Sequence, residues 1–454
     1  MASTRKPKRA DREEWDLLPR LRAQLTATVL SGSRVLVALS GGVDSIVLLD
    51  LLRRLAARRR FKLTALHVNH QLQPAASAWA SFCRRVCRAA DVPLRVAKVD
   101  VARGNSVEGA ARVARYEALL KQPADYIALA HNQDDQAETV MLHLLRGAGI
   151  RGLAGMRTVS EPPIAARASV RLLRPLLDVP RSHIERYAEH RKLEWIEDPS
   201  NASMDFNRNF LRAEVLPRIA QRFPSYRHAL ARTARHAAEA ASVLDELAQQ
   251  DRGTADSSNA LDMAALRTLT IARAKNALSA FLRRHDVEIP SAQRIEEALR
   301  QVLAARPDSS VCIDFGAKQL RRHGSQLVVV ATRKSARPVD RAWQGEAELD
   351  LSELGGTLKM RRARGGGISA ARLRAAPVTI RLRVGGERMR PNADGPTRTI
   401  KNLMQEARMP AWERDRVPFI YCGDELVCVP GLAIASTYQA GPGESCIIPV
   451  WRTG

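Results

Sequence analysis

Apolar and polar positions along the first third of the chain change period in a regular way. Amphipathic spacing over about 15–30 predicts a helix. Arg34-Val-Leu-Val-Ala-Leu39, aliphatic and bounded by polar residues, predicts a buried parallel strand. A glycine turn follows, then a helical pattern over about 43–57. Strand-like and helix-like runs then alternate: 63–68, 76–90, 94–99, 107–121, 126–130 and about 134–145. This alternation predicts an α/β domain, a doubly wound parallel sheet.

From Tyr226 the texture changes to Ala- and Arg-rich helical periodicity over 226–250, 261–284 and 291–304, with Pro290 and Ser291 as start signals. This predicts an α-helical domain. Its first helix carries Arg227, His228, Arg232, Arg235 and His236, which suits a solvated surface and a binding face equally. Past Val328 come a connector with Pro and Arg, strand-like pieces near Leu349 and Leu358, and a Gly365-Gly366-Gly367 linker. From about 378 the pattern alternates again, predicting a small α+β domain with strands near 426–429 and 446–450. The expected boundaries are 1–24 for a basic tail and helix start, then 25–222, 223–330, 331–376 for a linker with a small strand module, and 377–454.

Composition narrows the class. In 454 residues, 45% are apolar, enough for several cores, while aromatics are 4%, so those cores are aliphatic. Seventy-two Lys and Arg stand against 48 Asp and Glu, a net +24 that favours a polyanionic partner, nucleic acid first. Six cysteines form neither a small disulfide framework nor a Cys-x-x-Cys pair; Cys83 and Cys87, one helical turn apart, read as packing. MASTRKPKRADREEWD has no apolar core for a signal peptide, and no window is long and apolar enough to span a membrane. The expectation is a soluble cytoplasmic protein with no membrane partner.

Ser40-Gly41-Gly42-Val43-Asp44-Ser45 lies between a predicted strand and a predicted helix. Glycines let the backbone approach a ligand, hydroxyls flank them, and the helix N-terminus favours an anion. No Gly-Lys-Ser/Thr ending makes it a Walker A loop, and the G-x-G-x-x-G spacing of dinucleotide binding is missing. Leu66-His67-Val68-Asn69-His70 ends the second strand, where open α/β sheets place ligands. His67 reads as structural. Glu108-Gly-Ala-Ala-Arg112-Val-Ala-Arg115-Tyr116 puts Arg112 and Arg115 on one helix face, and in the segment from His131 to Thr139 the pairs His131/Asp135 and Asp134/Glu138 are i,i+4. One carboxylate would cap that helix; three beside a strand end call for a cation or an amine.

The Ser-Gly-Gly-x-Asp-Ser turn resembles the PP-loop of the ATP pyrophosphatases. Adding the four segments above, Leu173-Arg174-Pro175-Leu176-Leu177, and Asp198-Pro-Ser200-Asn201 leading to Asn207-Arg208-Asn209-Phe-Leu-Arg212, the chain resembles the tRNA(Ile)-lysidine synthetase family. Arg383-Val-Gly385-Gly386-Glu387-Arg388-Met-Arg390-Pro391, Lys401-Asn-Leu403 and Trp412-Glu-Arg414-Asp415-Arg416-Val-Pro418 resemble that family's appended domain.

The resemblance implies that ATP activates the wobble cytidine of the CAU-anticodon isoleucine tRNA, releasing pyrophosphate. Free L-lysine then joins C2 and displaces AMP, which changes codon specificity from AUG to AUA. It implies ATP binding by Ser40, Gly41, Gly42, Val43, Asp44, Ser45 and His70, and Mg2+ at Asp44 and Asp134. It implies catalysis by Asp44, Asp134, Asp135, Glu138, Arg115 and Arg208, and substrate binding by Arg112, Arg115, His131, Asn201, Arg208 and Arg388. The later domains are expected to grip tRNA, and a homodimer is compatible with the family. The rivals are a thiolating PP-loop tRNA enzyme, which would need paired cysteines, and a non-catalytic RNA-binding protein, which would not need the intact acidic set.

Overall fold

The computed structural model describes residues 16–453 except 72, 101–106, 163–169, 198–206, 254–258, 307–310 and 333–337. The chain divides into two compact units, Met1–Glu246 and Leu247–Gly454. In the first, helix α1 (Leu17–Thr28) precedes β1 (Arg34–Ala38), α2 (Val43–Arg59), β2 (Lys62–Asn69), α3 (Ala76–Ala89), β3 (Leu94–Lys98), α4 (Val107–Leu120), β4 (Tyr126–Ala128) and α5 (Gln133–Leu145). Strands β5 (Val159–Ser160) and β6 (Arg171–Leu173) and helix α6 (Arg181–His190) complete the expected α/β alternation.

The sheet order is β3-β2-β1-β4-β6-β5, parallel except for β5 at the edge. Successive side chains of a strand point to opposite faces, so Val35 and Val37 enter the core beneath α2 and α6 while Leu36 packs with Leu119 of α4. Both faces are covered, which is why β1 reads as an unbroken aliphatic run. The sheet changes direction between β1 and β4, and a crevice opens there at the carboxyl ends of the strands.

Past α6, helix Asn207–Phe210 passes through a π-helical turn, Leu211–Val215, into Leu216–Arg222, followed by α7 (Tyr226–Gln250). Leu216 and Tyr226 pack against Ala137 of α5. The start of α7, just past the boundary expected at 222, is anchored to the α/β unit by this apolar contact.

The second unit opens with β7 (Ala260–Asp262), α8 (Met263–Thr268), α9 (Ile271–Arg284) and α10 (Ala292–Ala304). Thr270 and Ser291 cap α9 and α10 with their hydroxyls. These helices share a core with a sheet that helical periodicity did not reveal, β7-β10-β9-β8, built with β8 (Cys312–Asp314), β9 (Lys318–His323) and β10 (Gln326–Ala331). β9, Lys-Gln-Leu-Arg-Arg-His, places only Leu320 in the core, so it carries no alternating signal.

The stretch expected to be a linker with a small strand module is built into the C-terminal domain. β11 (Asp340–Trp343) pairs with β15 (Val378–Arg381); β12 (Glu348–Leu351) and β14 (Ile368–Ser369) flank a ladder of β13 (Gly356–Arg364) with β21 (Ser445–Thr453). Gly367 is no flexible spacer, since a Cβ there would stand 2.7 Å from the Ile447 carbonyl and 2.9 Å from Cys446 Sγ. The other sheet of this domain runs β11-β15-β18-β19-β20, with β18 (Phe419–Cys422), β19 (Glu425–Val429) and β20 (Ala433–Ile434). Helix Ile400–Glu406 packs through Ile400 and Met404 against Phe419 and Val429. Among the described residues no helix is long and apolar enough to cross a membrane.

Candidate active site

The loop between β1 and α2 closes on itself through hydroxyls. Ser45 Oγ accepts from Gly41 N at 3.0 Å and donates to the Gly42 carbonyl at 2.9 Å, and Ser40 Oγ donates to Ser45 Oγ at 3.1 Å. Gly41 sits at φ +97°, where a Cβ would meet Ile196 Cδ1 at 3.0 Å and Cys83 Sγ at 3.4 Å. Glycine is required there by conformation and by space. Gly42 is the N-cap of α2 without any side-chain cap, so the positive end of that helix faces the crevice.

The loop between β4 and α5 stands beside it. Asn132 caps α5 reciprocally with Asp135: Asn132 Oδ1 accepts from Asp135 N and Asp135 Oδ2 from Asn132 N, both at 3.0 Å. The remaining Asn132 amide donates to Asp44 Oδ1 at 2.9 Å. Burial pushes the Asp44 carboxyl above its ordinary range and the neighbouring Asp135 charge adds to this, against the opposing Asn132 hydrogen bond.

Behind Asp135 lies Glu138, 1% exposed, its two oxygens each taking an Nε at 2.6 Å, one from Arg208 and one from Arg212. Both arginines also reach Asp135 Oδ1, at 2.9 and 3.4 Å. Two acids and two bases thus form an alternating quartet.

Asp134 goes elsewhere. Its carboxylate pairs with Arg227 of α7 and accepts from the Arg181 backbone N at 3.0 Å, and Asp134 is not among the residues lining the crevice. The structure therefore does not bring Asp134 to Asp44, contrary to the paired cation site expected for them.

The crevice has a volume of about 1330 Å³ and is walled by the β1–α2 loop, the end of β2, α4 and three of the quartet, Asp135, Arg208 and Arg212, with Glu138 buried behind them. Arg112 and Arg115, both exposed, line it from α4. His131 and His70 line it too, each with a buried Nδ1 that has no hydrogen-bond partner. Burial holds His131 well below the ordinary histidine range, helped by Arg174 and Arg208; burial and Arg115 lower His70. Neutral imidazoles with an open nitrogen can accept or donate to a bound nucleotide. His67 also lies on the crevice wall, but it bonds the Leu39 carbonyl at 2.9 Å and sits against Cys83.

Arg388 belongs to the second unit, exposed on β16 (Arg388–Met389) beside β17 (Arg398–Thr399). Asn201, with the motif around it, lies outside the described residues. Arg181, Arg212 and Asn132 were not singled out as site residues. Arg212 had a signal, its i+4 spacing from Arg208; Asn132 had one only as a helix cap.

Among the described residues no group of three or more His, Cys, Asp or Glu is arranged to hold a metal ion. The donors suit Mg2+ nonetheless, because that ion takes one or two carboxylates and fills its shell with phosphate oxygens and water. Asp44, desolvated and beside a second carboxylate, is the group a divalent cation would relieve. Burial pushes the Cys83 thiol up to about 12 and Cys87 up to about 11, so both stay protonated and non-nucleophilic. That removes the local cysteine pair a thiolating enzyme would need.

Residues 18–219 match the PP-loop domain family, 261–328 the TilS substrate binding domain and 378–451 the TilS substrate C-terminal domain. A tRNA(Ile)-lysidine synthase of Nitrosomonas europaea is 39% identical over 433 residues, covering 94% of each chain. Its namesake from Coxiella burnetii is 36% identical over 91% of this chain and 92% of its own. Among solved structures, the U34-tRNA thiolase NcsA of Methanococcus maripaludis, with its [4Fe-4S] cluster, aligns at 18% identity and TM-score 0.41 over 49% of this chain and 78% of that one. A TilS C-terminal domain aligns at 24% identity and TM-score 0.19, over 22% of this chain and 85% of its own.

Proposed function

The chain belongs to the tRNA(Ile)-lysidine synthase family and forms lysidine on tRNA(Ile) with ATP, and on that premise we propose how its crevice divides the work. The observation that carries the reading is the meeting, in one crevice, of the uncapped α2 N-terminus, the Asp44 carboxylate and the side chains of Asp135, Arg208 and Arg212, which pair with Glu138 behind them.

The backbone of Gly41 and Gly42, with Ser40, Val43 and Ser45, cradles the pyrophosphate portion of ATP at the helix end. Asp44 would hold Mg2+, which would supply charge neutralisation at the phosphates. His70 and His131 face the nucleotide and the target cytidine as neutral hydrogen-bonding groups. Arg112 and Arg115 stabilise the negative charge that grows as the cytidine O2 of the CAU anticodon attacks the α-phosphate.

Free L-lysine then enters at Asp135 and Glu138, whose carboxylates receive an ammonium group. The ε-ammonium gives a proton to the Asp135 carboxylate, the freed amine attacks C2, and the C2–O2 bond breaks as AMP leaves with that oxygen. The wobble cytidine must be splayed from its loop to reach this depth, as single-stranded RNA bases are when read by proteins. The basic excess of the chain, and Arg388 within it, contacts tRNA phosphates, and the reaction belongs to the cytoplasm, where its substrates are.

Pyrophosphate release, AMP release and transfer of labelled lysine into tRNA(Ile) bearing CAU are the tests. All three together support the reading. AMP release indifferent to lysine would retain ATP activation and discard the lysine assignment.

A further inference from the structure

The quartet poses a problem for any cation that arrives from solution. Glu138 has no free oxygen: Oε1 takes Arg212 Nε at 2.6 Å, and Oε2 takes Arg208 Nε at 2.6 Å and Arg212 Nη2 at 3.0 Å. Asp135 Oδ1 is shared by the two guanidiniums, while its Oδ2 closes the α5 cap. Glu138 is also 1% exposed, so an ammonium reaches it by taking the place of a guanidinium.

The two arginines are held differently, Arg212 mainly by its two bonds to Glu138 and Arg208 by bonds divided between both acids. Arg208 bridges both acids and also lies 3.4 Å from the Asp135 carbonyl. Arg212 holds Asp135 only by the longer 3.4 Å contact, and its side chain is more exposed, 34% against 24%. Arg212 also stands in the π-helical turn Leu211–Val215, a wider turn of the kind that concentrates at functional sites.

We propose that Arg212 is the resident counter-ion of the lysine site: its guanidinium occupies the place the substrate's ammonium takes, and lysine binds by displacing it. The inference rests on the assignment of lysine to Asp135 and Glu138. A buried carboxylate stripped of its partners is strongly disfavoured, so exchange of one cation for another keeps Glu138 neutralised before and after binding. Arg208 stays in place throughout. The resident guanidinium lowers the apparent affinity for lysine by the fraction of time it holds the site. Arg212 is thus a positioning residue that sets the lysine threshold.

The test compares lysine KM and kcat for the full chain as wild type, Arg212→Ala, Arg212→Gln, Arg212→Lys and Glu138→Gln, with ATP and tRNA saturating. In Arg212→Ala the lysine KM is expected to fall about three- to tenfold, as removal of an intramolecular competitor requires. Millimolar guanidinium should then raise that KM competitively in Arg212→Ala and leave the wild type unmoved. Arg212→Lys, which keeps a cation in place, should stay near the wild-type KM, and Arg212→Gln, which removes the charge but keeps the bulk, should show the same fall and carries the test if the alanine variant does not fold. A lysine KM that rises in Arg212→Ala, with no competition by guanidinium, overturns the resident role. If Glu138→Gln leaves the lysine KM unchanged, the lysine site itself is misplaced, which is a different failure.

Discussion

Asn132 Nδ2 donates to Asp44 Oδ1 at 2.9 Å, joining loops that are 88 residues apart in sequence. The contact exists because β1 and β4 are neighbours in the sheet, so the turns leaving them share one edge. The same side chain caps α5 through its oxygen. One residue thereby fixes the carboxylate of the first loop and the start of the helix that carries Asp135 and Glu138. Asn132→Ala should lower stability by about 1–2 kcal/mol from the lost cap and also reduce lysidine formation. Denaturant unfolding and product formation on the same sample check both; a loss of activity with unchanged stability would separate the two roles.

Asp44 is held at a cost in the free protein. Its carboxyl is raised by burial, so the native state holds that proton more tightly than the unfolded chain, and stability falls as pH rises through the window above 3.8. Asp44→Asn removes the buried charge. The variant should melt about 1–3 °C higher at neutral pH while AMP release drops by about 100-fold or more. Calorimetry and an AMP assay decide it; a lower melting temperature would contradict the cost argument.

Asp134 is the control for Asp44. Its carboxylate is committed to Arg227 and the Arg181 backbone, so Asp134→Asn should loosen α7 from α5 and leave the Mg2+ dependence of pyrophosphate release in place. A stability loss of about 1 kcal/mol is expected. A shift in the Mg2+ concentration needed for half-maximal rate would restore Asp134 to the cation site.

His131 and His67 are both lowered by burial, so in the window below 6.5 the unfolded chain takes up protons that the native state refuses. Their contribution is complete above that window and lost as pH falls through it, with a slope of up to about 1.4 kcal/mol per pH unit for each histidine. Melting temperatures measured across this range should decline toward acid, and His131→Gln should flatten the decline. An unchanged slope in that variant would mean that His131 takes a proton in the folded state.

Much of the first unit was legible because its signals are local. The aliphatic run 34–39, the two glycines and the acidic helix start each announce a strand, a turn and a cap without reference to anything distant. The division of labour among the carboxylates was not legible. Asp134 and Asp135 are adjacent in sequence, yet helix geometry turns one toward α7 and the other toward Arg208, and only the docking of two later segments tells them apart. The sheet β7-β10-β9-β8 of the second unit escaped for another reason. β7 and β8 are three residues each, too short for a period, and β9 places only Leu320 in the core.

The ladder between β13 and β21 has a consequence for how the chain is made. Gly356 pairs with Thr453 and Arg364 with Ser445, so the central strand of that sheet waits for a partner about 90 residues downstream. Domains generally fold as they are synthesised, from the N-terminal side. The α/β unit can close while the ribosome is still at work, but this sheet cannot until residue 453 has left the exit tunnel. A chain that stopped before residue 445 would carry a closed α/β unit and a β13 edge with no partner on that side, a template open to pairing with another chain.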